Sequence, residues 1–496
     1  MKNRMQNPLP ATDNKTLPRV LLNLKDLGPR AWAVCLSILL VVFAASPIPA
    51  QTKASPENAA TTSVRVTRPA NALADTAKLV TEFEVNGLKV LVKRRENSQT
   101  AVVGLFFRGG ATNINEKNAG IEALMLDLSS EASASFPRDR MRSESSRMGT
   151  GISYGVNYDY SVLTMATTRR NFDRSWQMFT DVALHPSFAP DDFERVKNRL
   201  IVSRNDDQDT PDSYLQQLQS RSIYAGHPYL NSPEGTAESI RRLTLEDVKS
   251  YHQQLMQTSR LLLVVVGDVD PQQLRERIAS SLGKLPRGNY QASPPPALAF
   301  DSPTVDITTR DLPTNYVMGT YVAPSMTAPD IYAMRVASSV LQTRVFSEVR
   351  VQRNLSYAPD AFLGSQRANV GGIYVSAVDA NQAVGVMLNE MARLQHEPLD
   401  PNEIKGTVQQ YLTKHYIGQQ TNAAQAGELA QYELIGGGWR NSVDFIDRLR
   451  AVTPADVQRV AQKYMRNLRF VVLGNPKSID TRIFTGAAAG AMGGSR

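Results

Sequence analysis

The side chains that could do chemistry are few and scattered along this chain. Among its 496 residues there is one cysteine, Cys35, and there are five histidines. The histidines are His185, His227, His252, His396 and His415. No two of them have the helical spacing at which one helix face presents two metal ligands. Glu122, Asp127 and Glu131 could bind a hard cation, but they have no clustered partners, so we interpret them as a solvated helix face.

The single cysteine lies inside an apolar run, Ala31–Ala45, which follows a basic segment and precedes small and polar residues. This order is typical of a secretory signal, here cleaved after Ala50. The run is shorter than the ~20 residues of a spanning helix, although the long basic segment leaves an uncleaved anchor as the alternative. We therefore predict a signal peptide over residues 1–50 and an exported chain, periplasmic in a diderm bacterium, without thiols.

Composition excludes several classes of protein. The chain is 42% apolar and 21% charged, which is ordinary for a globular protein and argues against disorder or a fibre. Its formal charge is +8, but part of that excess lies in the first fifty residues, and no dense Lys/Arg tract follows. A nucleic-acid partner is therefore not expected.

The chain divides into two halves that end alike. A proline-rich stretch, residues 286–303, is typical of a stiff linker. Before it and near the C-terminus, Leu243–Asp270 and Val452–Pro476 each contain a capped amphipathic helix followed by a buried strand. Thr244 and Thr453 are the predicted N-caps. A repeat of this length indicates duplicated domains.

Strand runs are followed by helix runs in the first half. The predicted strands are Leu88–Lys93, Ala101–Phe107 and Ser153–Thr167, and the predicted helices are Ala119–Ser129, Phe172–Leu184 and Asp191–Asn205. This order favours an α+β class with largely antiparallel sheets and helices packed on them. The predicted domains are 78–285 and 304–480, with a flexible leader over 51–77 and a disordered tail over 481–496.

Five segments between Glu82 and Pro476 resemble, in order, the insulinase/pitrilysin-like metallopeptidase superfamily and its processing-peptidase branch. They are FFRGGATNINEKNAGIEAL, SSRMGTGISYGVNYDYSVLT, HPSFAPDDFERVKNRL, IYAGHPYLNSPEGTAESIRRLT and FSEVRVQRNLSYAPDAF. The resemblance implies two homologous α+β domains that form half of a clamshell around a chamber for unfolded peptides. In active members, a helix carries H-x-x-E-H, whose histidines bind zinc and whose glutamate activates water.

This sequence departs from that motif. Ala123 and Asp127 occupy the two histidine positions, and Leu126 occupies the glutamate position. The stretch 200–204, where the family's further glutamate ligand is expected, holds no carboxylate. The prediction is a degenerate zinc motif with no metal or other cofactor in this chain.

A second pair of family positions is retained. Arg350 and Tyr357, in EVRVQRNLSY, match an Arg/Tyr pair that, in the family, approaches the zinc site across the clamshell and contacts the scissile carbonyl. Such donors stabilise an oxyanion because arginine is always protonated and a phenol donates without ionising. Asn354 stands where the family often has glycine, and it tolerates the left-handed backbone that ends a helix. We interpret the neighbouring Arg344 and Arg353 as solvated or ion-paired.

The first hypothesis is a non-catalytic subunit of a heterodimeric zinc endopeptidase, inactive alone. An H-x-x-E-H homologue would supply zinc, and this chain would supply Arg350, Tyr357 and half of the chamber for unfolded peptides. A membrane contact is expected only if the signal is uncleaved. Two alternatives stay open, namely a peptide-binding or structural scaffold with no catalytic role and a zinc peptidase with unconventional ligands.

Overall fold

The structure is a computed structural model that describes residues 77–486, apart from the side chains at 206–209. The predicted signal peptide, the predicted leader up to residue 76 and residues 487–496 lie outside the described residues. No helix in the described part is long and apolar enough to cross a bilayer.

The described strands form two sheets. The first has the order β1-β2-β6-β3-β5-β4, and the second has the order β7-β11-β8-β10-β9. The strands are β1 Val80–Val85, β2 Leu88–Arg94, β3 Thr100–Arg108, β4 Gly151–Val156, β5 Tyr160–Thr168, β6 Leu261–Gly267, β7 Thr304–Thr309, β8 Asn315–Val322, β9 Asp360–Leu363, β10 Val370–Ala377 and β11 Arg469–Gly474.

The α-helices lie in the longer connections between these strands and after the last one. The α-helices are α1 Ile121–Ser129, α2 Arg138–Met148, α3 Phe172–Leu184, α4 Pro190–Asp209, α5 Pro211–Ile223, α6 Ala237–Arg242, α7 Leu245–Leu255, α8 Pro271–Ser280, α9 Ile331–Val345, α10 Ala380–His396, α11 Pro401–Gly418, α12 Asn422–Ile435, α13 Arg440–Arg450, α14 Pro454–Tyr464 and α15 Thr481–Phe484. The predicted α+β class is therefore confirmed.

Five strands of the first sheet, β2-β6-β3-β5-β4, have the same topology as the five strands of the second, and β1 is an additional edge strand of the first. In the first sheet, β6 pairs parallel with β2 and antiparallel with β3. In the second, β11 pairs parallel with β7 and antiparallel with β8. The other neighbours in both sheets are antiparallel. This shared pattern agrees with the internal repeat that the sequence indicates.

One helix from each half of the chain packs on the sheet of the other half. Helix α12 packs on β3 and β6, and helix α5 packs on β8 and β11. Leu91 and Phe106 of the first sheet join the same buried cluster as Leu429 of α12, and Leu215 of α5 joins Val471 of β11. Because apolar burial drives this exchange, the two sheets are held together through a shared core.

The repeated helices α7 and α14 begin with the predicted caps. Thr244 accepts a hydrogen bond from the backbone N–H of Asp247, and Thr453 accepts one from that of Asp456, each in a reciprocal capping box. Replacing either threonine by alanine should lower the free energy of unfolding by about 1 kcal/mol, because an orphan N–H loses its acceptor.

Urea unfolding of Thr244→Ala and Thr453→Ala would check this expectation, with Thr→Ser at each position as the matched control that keeps the hydroxyl. Similar losses at the two sites are expected because the two boxes have the same geometry. A loss at only one site would contradict the equivalence of the two caps.

Two predicted elements need correction. Ser153–Thr167 is not one strand but parts of β4 and β5, joined by a turn in which the Asn157 side chain accepts hydrogen bonds from the backbone N–H groups of Asp159 and Tyr160. The predicted disordered tail over 481–496 is wrong at its start, because Thr481–Phe484 is helical and Phe484 is buried edge-on against Phe470. The first error missed a local turn of the kind that asparagine side chains form. The second arises from the contact between Phe484 and Phe470, which a local pattern does not reveal.

Candidate functional site

Helix α1 carries the degenerate motif into the interior of the first half. It begins after Gly120, whose φ of 90° is left-handed and whose Cβ, if present, would lie 2.9 Å from the Cα of Gly235. The helix packs against β4, α4 and α7, and all nine of its residues are buried. Ala123 is 3% exposed and Leu126 is 2% exposed, so both fill core space. Neither side chain can ligate a metal.

Asp127, the third motif position, is bound by an arginine of α4. Its Oδ1 accepts a hydrogen bond of 2.7 Å from Arg199, whose guanidinium also lies 3.1 Å from Glu131. Burial raises the pKa of Asp127, and the hydrogen bond and charge of Arg199 only partly oppose this effect. An ion pair therefore occupies the position where the family carries its second histidine.

Glu131 extends this ion pair into a network. Arg195, also on α4, lies 2.9 Å from Glu131 and 2.5 Å from Asp192. Partial burial raises the pKa of Glu131, but the hydrogen bonds and charges of Arg195 and Arg199 lower it by more. The network joins α1 to α4 by charge-assisted hydrogen bonds, which are stronger than neutral ones.

Glu122 lies deeper still. It is 2% exposed, and its Oε1 accepts a hydrogen bond of 2.7 Å from the Tyr251 hydroxyl, while Oε2 has no hydrogen-bond partner. Burial raises the pKa of this carboxyl. The expectation of a solvated helix face is therefore wrong, because α4 and α7 cover these acids and supply partners distant in sequence.

These residues do not fit zinc. A zinc site needs three or four nitrogen, sulfur or carboxylate ligands, whereas two of the three motif positions are apolar and the third is neutralised by Arg199. In the expected distal-ligand stretch, Arg204 is paired with Glu234. No group of three or more His, Cys, Asp or Glu among the described residues could hold a metal ion.

The retained pair lies in the second half, at the end of a long helix. Helix α9 continues as a π-helical segment, Phe346–Gln352, which contains Arg350. The backbone then turns at Asn354, whose φ of 50° is left-handed, and the N–H of Leu355 donates to the carbonyl of Val349 at 2.8 Å. The predicted left-handed stop at Asn354 is confirmed, and π-helical segments are frequent at functional sites.

The turn brings Arg350 and Tyr357 together at the surface. Arg350 Nη1 donates to the backbone carbonyl of Tyr357 at 2.9 Å, and its guanidinium carbon lies 4.1 Å from the centroid of the Tyr357 ring. The same guanidinium lies 5.1 Å from the Phe346 ring. Tyr357 is 78% exposed, on an irregular segment before β9. Its hydroxyl has no hydrogen-bond partner within residues 77–486.

The neighbouring arginines differ from Arg350. Arg344 lies 2.6 Å from Glu403, and Arg353 is paired with Glu348, so of the two predicted states, solvated or ion-paired, the structure shows the second. No carboxylate of the described chain lies within ion-pair distance of Arg350. This guanidinium is held by two aromatic rings and one carbonyl instead.

The structure thus keeps the predicted residues in two separate groups. Ala123, Leu126 and Asp127 share α1 in the first half, while Arg350 and Tyr357 share the turn after α9 in the second. No hydrogen bond or ion pair among the described residues joins the two groups. Arg199 is the residue that the sequence analysis missed, and no local signal distinguishes it from other arginines on α4.

Two family profiles match most of the described chain. Residues 89–237 match the profile described as Insulinase (Peptidase family M16), and residues 242–411 match the one described as Peptidase M16 inactive domain. Together they cover more than half of the sequence.

Three individual relatives match at low sequence identity, each over more than half of this chain. The chain is 22% identical over 419 residues to the beta subunit of the mitochondrial-processing peptidase of Blastocladiella emersonii, covering 78% of this chain and 87% of that one. It is 21% identical over 292 residues to the non-peptidase homolog YmxG of Helicobacter pylori, covering 57% and 67%. The crystal structure of a protease from Helicobacter pylori has the same fold, with a TM-score of 0.74 at 18% identity over 80% of this chain and 99% of that one.

The profiles agree with the shared topology of the two sheets, and the α1 geometry agrees with the loss of the metal ligands. The chain therefore belongs to the insulinase family, peptidase family M16, as a non-catalytic member that lacks the family's zinc motif.

Proposed function

We propose that this chain is the non-catalytic subunit of a heterodimeric zinc endopeptidase. A homologous partner with an intact H-x-x-E-H motif supplies the zinc and the activated water. This chain supplies Arg350 and Tyr357, acting in trans, together with half of the peptide chamber. The observation that carries the proposal is the exposed pair of Arg350 and Tyr357, which contact each other through a hydrogen bond and a cation–π contact. In the same chain, core packing and the Arg199–Asp127 ion pair take up the motif positions of α1.

The surroundings of the pair favour a surface that another molecule covers. Phe346 is 43% exposed and Val351 is 63% exposed, beside Tyr357 at 78%. Contiguous exposed apolar side chains mark interaction sites more often than they mark bare surface. The guanidinium of Arg350 already packs against the rings of Phe346 and Tyr357. Little side-chain entropy is therefore lost when its remaining N–H groups bind an acceptor.

An unpaired strand edge supports contact with peptides. Strand β4 is the last strand of the first sheet, and within residues 77–486 it pairs only with β5. An extended peptide can add to such an edge through backbone hydrogen bonds. Since β4 also packs against α1, a peptide bound there would run beside the degenerate motif.

The relatives support a paired arrangement. The Blastocladiella emersonii relative is named as a subunit of a processing peptidase, and YmxG is named as a non-peptidase homolog.

Because the segment before residue 51 resembles a secretory signal, we propose that the complex works outside the cytoplasm, in the periplasm if the source is a diderm bacterium. The name of YmxG also favours the second candidate function, a peptide-binding or structural scaffold with no role in catalysis. The chemistry of α1 does not favour a zinc peptidase with unconventional ligands.

Reconstitution would test the proposal. The chain and a candidate H-x-x-E-H homologue from the same organism are purified separately, then mixed and assayed on an unfolded, internally quenched peptide. We expect cleavage only in the mixture, because each protein alone has half of the site. Equal activity of the homologue with and without this chain would contradict a shared site and favour the scaffold.

A further inference from the structure

A solvent-connected cavity of about 270 Å³ lies among helices α9, α11, α12 and α13, away from both groups described above. Charged and polar side chains of α9, α11 and α12 line it, together with the ring of Phe445 from α13. Its volume is below the roughly 300–1,000 Å³ of pockets for drug-sized ligands, so it suits a smaller molecule.

Arg335 and Tyr411 bring hydrogen-bond donors to the cavity lining. Arg335 Nη1 donates to the Tyr411 hydroxyl at 2.9 Å, and the guanidinium carbon lies 5.4 Å from the centroid of the Phe445 ring. Its Nε is buried and has no hydrogen-bond partner. No carboxylate of the described chain lies within ion-pair distance of Arg335. A buried donor on a cation without a counter-ion is costly unless an acceptor reaches it.

Gln419 and Glu428 bring acceptor groups to the same lining. The side-chain oxygen of Gln419 is buried without a hydrogen-bond partner. Glu428 Oε1 lies 3.7 Å from His415 Nε2, and these two side chains keep 19% and 16% of their exposure. The cavity therefore holds a cation and a carboxylate that do not meet each other, each with unused hydrogen-bonding capacity.

We propose that this cavity binds a small zwitterion, a free α-amino acid, with its carboxylate on Arg335 and Tyr411 and its ammonium group on Glu428. Charge-assisted hydrogen bonds would then give the Arg335 cation and the Glu428 carboxylate each a partner of opposite charge. An acid without an ammonium group would leave Glu428 unmatched, and an amine without a carboxylate would leave Arg335 unmatched.

The site is separate from the proposed catalytic pair. Arg335 and Arg350 lie on one continuous helical segment, α9 and its π-helical extension. Their positions are roughly 20 Å apart along the helix axis. Binding in the cavity can therefore be measured without peptidase activity, and its failure would not bear on the heterodimer.

Calorimetric titration of the full chain with glycine and with L-alanine tests the proposal, with acetate and methylammonium as half-ligand controls. We expect saturable binding of the amino acids and at least ~10-fold weaker binding of each half-ligand, the typical value of a charged hydrogen bond. Glu428→Gln should weaken glycine binding by a similar factor. The matched control Glu397→Gln, on an exposed acid that pairs with Arg393, should leave it unchanged.

The pH dependence of binding provides a second readout. Burial raises the pKa of Glu428 to about 7, against the charges of Lys93 and Arg335. Burial and the charges of Arg335 and Lys93 all lower the pKa of His415. Glycine remains zwitterionic between pH 6 and pH 8, while the ionised fraction of Glu428 rises about tenfold. Glycine should therefore bind up to ~10-fold more tightly at pH 8 than at pH 6, and this slope should vanish in Glu428→Gln.

Three results would overturn the proposal. Acetate that binds as tightly as glycine would make the cavity a simple anion site. Methylammonium that binds as tightly as glycine would make it a cation site. No binding of any of these probes would mean that the cavity holds solvent only.

Discussion

Tyr357→Phe in the assembled peptidase should lower kcat by about 10²–10³-fold, the typical cost of removing one oxyanion donor. The substitution keeps the ring on which Arg350 stacks and the backbone carbonyl to which Arg350 donates. It removes only a hydroxyl that has no hydrogen-bond partner in the described chain. The loss should appear in kcat with little change in KM, since the interaction is strongest with the developing negative charge.

The neighbouring arginines provide the controls. Arg353→Ala breaks an ion pair with Glu348 on the same segment, and we expect it to leave turnover within a few-fold of the parent. Arg350→Lys keeps the charge but not the planar donor array and should lose activity as Tyr357→Phe does. Unchanged turnover in both Tyr357→Phe and Arg350→Lys would contradict catalysis in trans and favour a scaffold. Native mass measured for each variant would separate loss of assembly from loss of chemistry.

Restoring the motif in this chain, by Ala123→His, Leu126→Glu and Asp127→His together, should not create a zinc site. Ala123 and Leu126 are less than 4% exposed, so the histidine at position 123 overpacks the core and the glutamate at position 126 buries a carboxylate. We expect the triple variant to lose about 3 kcal/mol or more of unfolding free energy. Elemental analysis of the purified variant should find substoichiometric zinc.

Arg199 is the second reason for that expectation. Its guanidinium lies 2.7 Å from Asp127, and a divalent cation placed beside it would meet a repulsion of several kcal/mol. Adding Arg199→Ala to the triple variant should raise zinc retention relative to the triple variant alone. A triple variant that holds one zinc per chain with Arg199 intact would contradict our account of why the motif helix excludes metal.

Local features of the fold were predictable because short segments encode them. The capping boxes at Thr244 and Thr453 and the left-handed stop at Asn354 depend on residues within one turn of each other. The amino-acid sequence alone shows that Ala123 and Leu126 replace zinc-motif residues. The family resemblance indicated Arg350 and Tyr357. The structure shows in addition that the guanidinium of Arg350 lies against the ring of Tyr357.

Contacts distant in sequence were not predictable from one chain. The ion pair of Asp127 depends on Arg199, which a separate helix presents, so an acidic helix face looked solvated when it is buried. The exchange of helices α5 and α12 between the halves has the same origin. The buried side chains of each helix meet a sheet whose strands are distant in sequence, so the helix's own pattern does not show which sheet it covers.

The most direct test of the shared site is the composition of the native assembly. The chain would be tagged in its own host and purified gently, and its partner, native mass and zinc content would be measured together. The heterodimer predicts a one-to-one complex with an H-x-x-E-H homologue and about one zinc per pair, as a single catalytic metal site requires. A zinc-free monomer or homodimer with no such partner would contradict it and leave the scaffold as the better account.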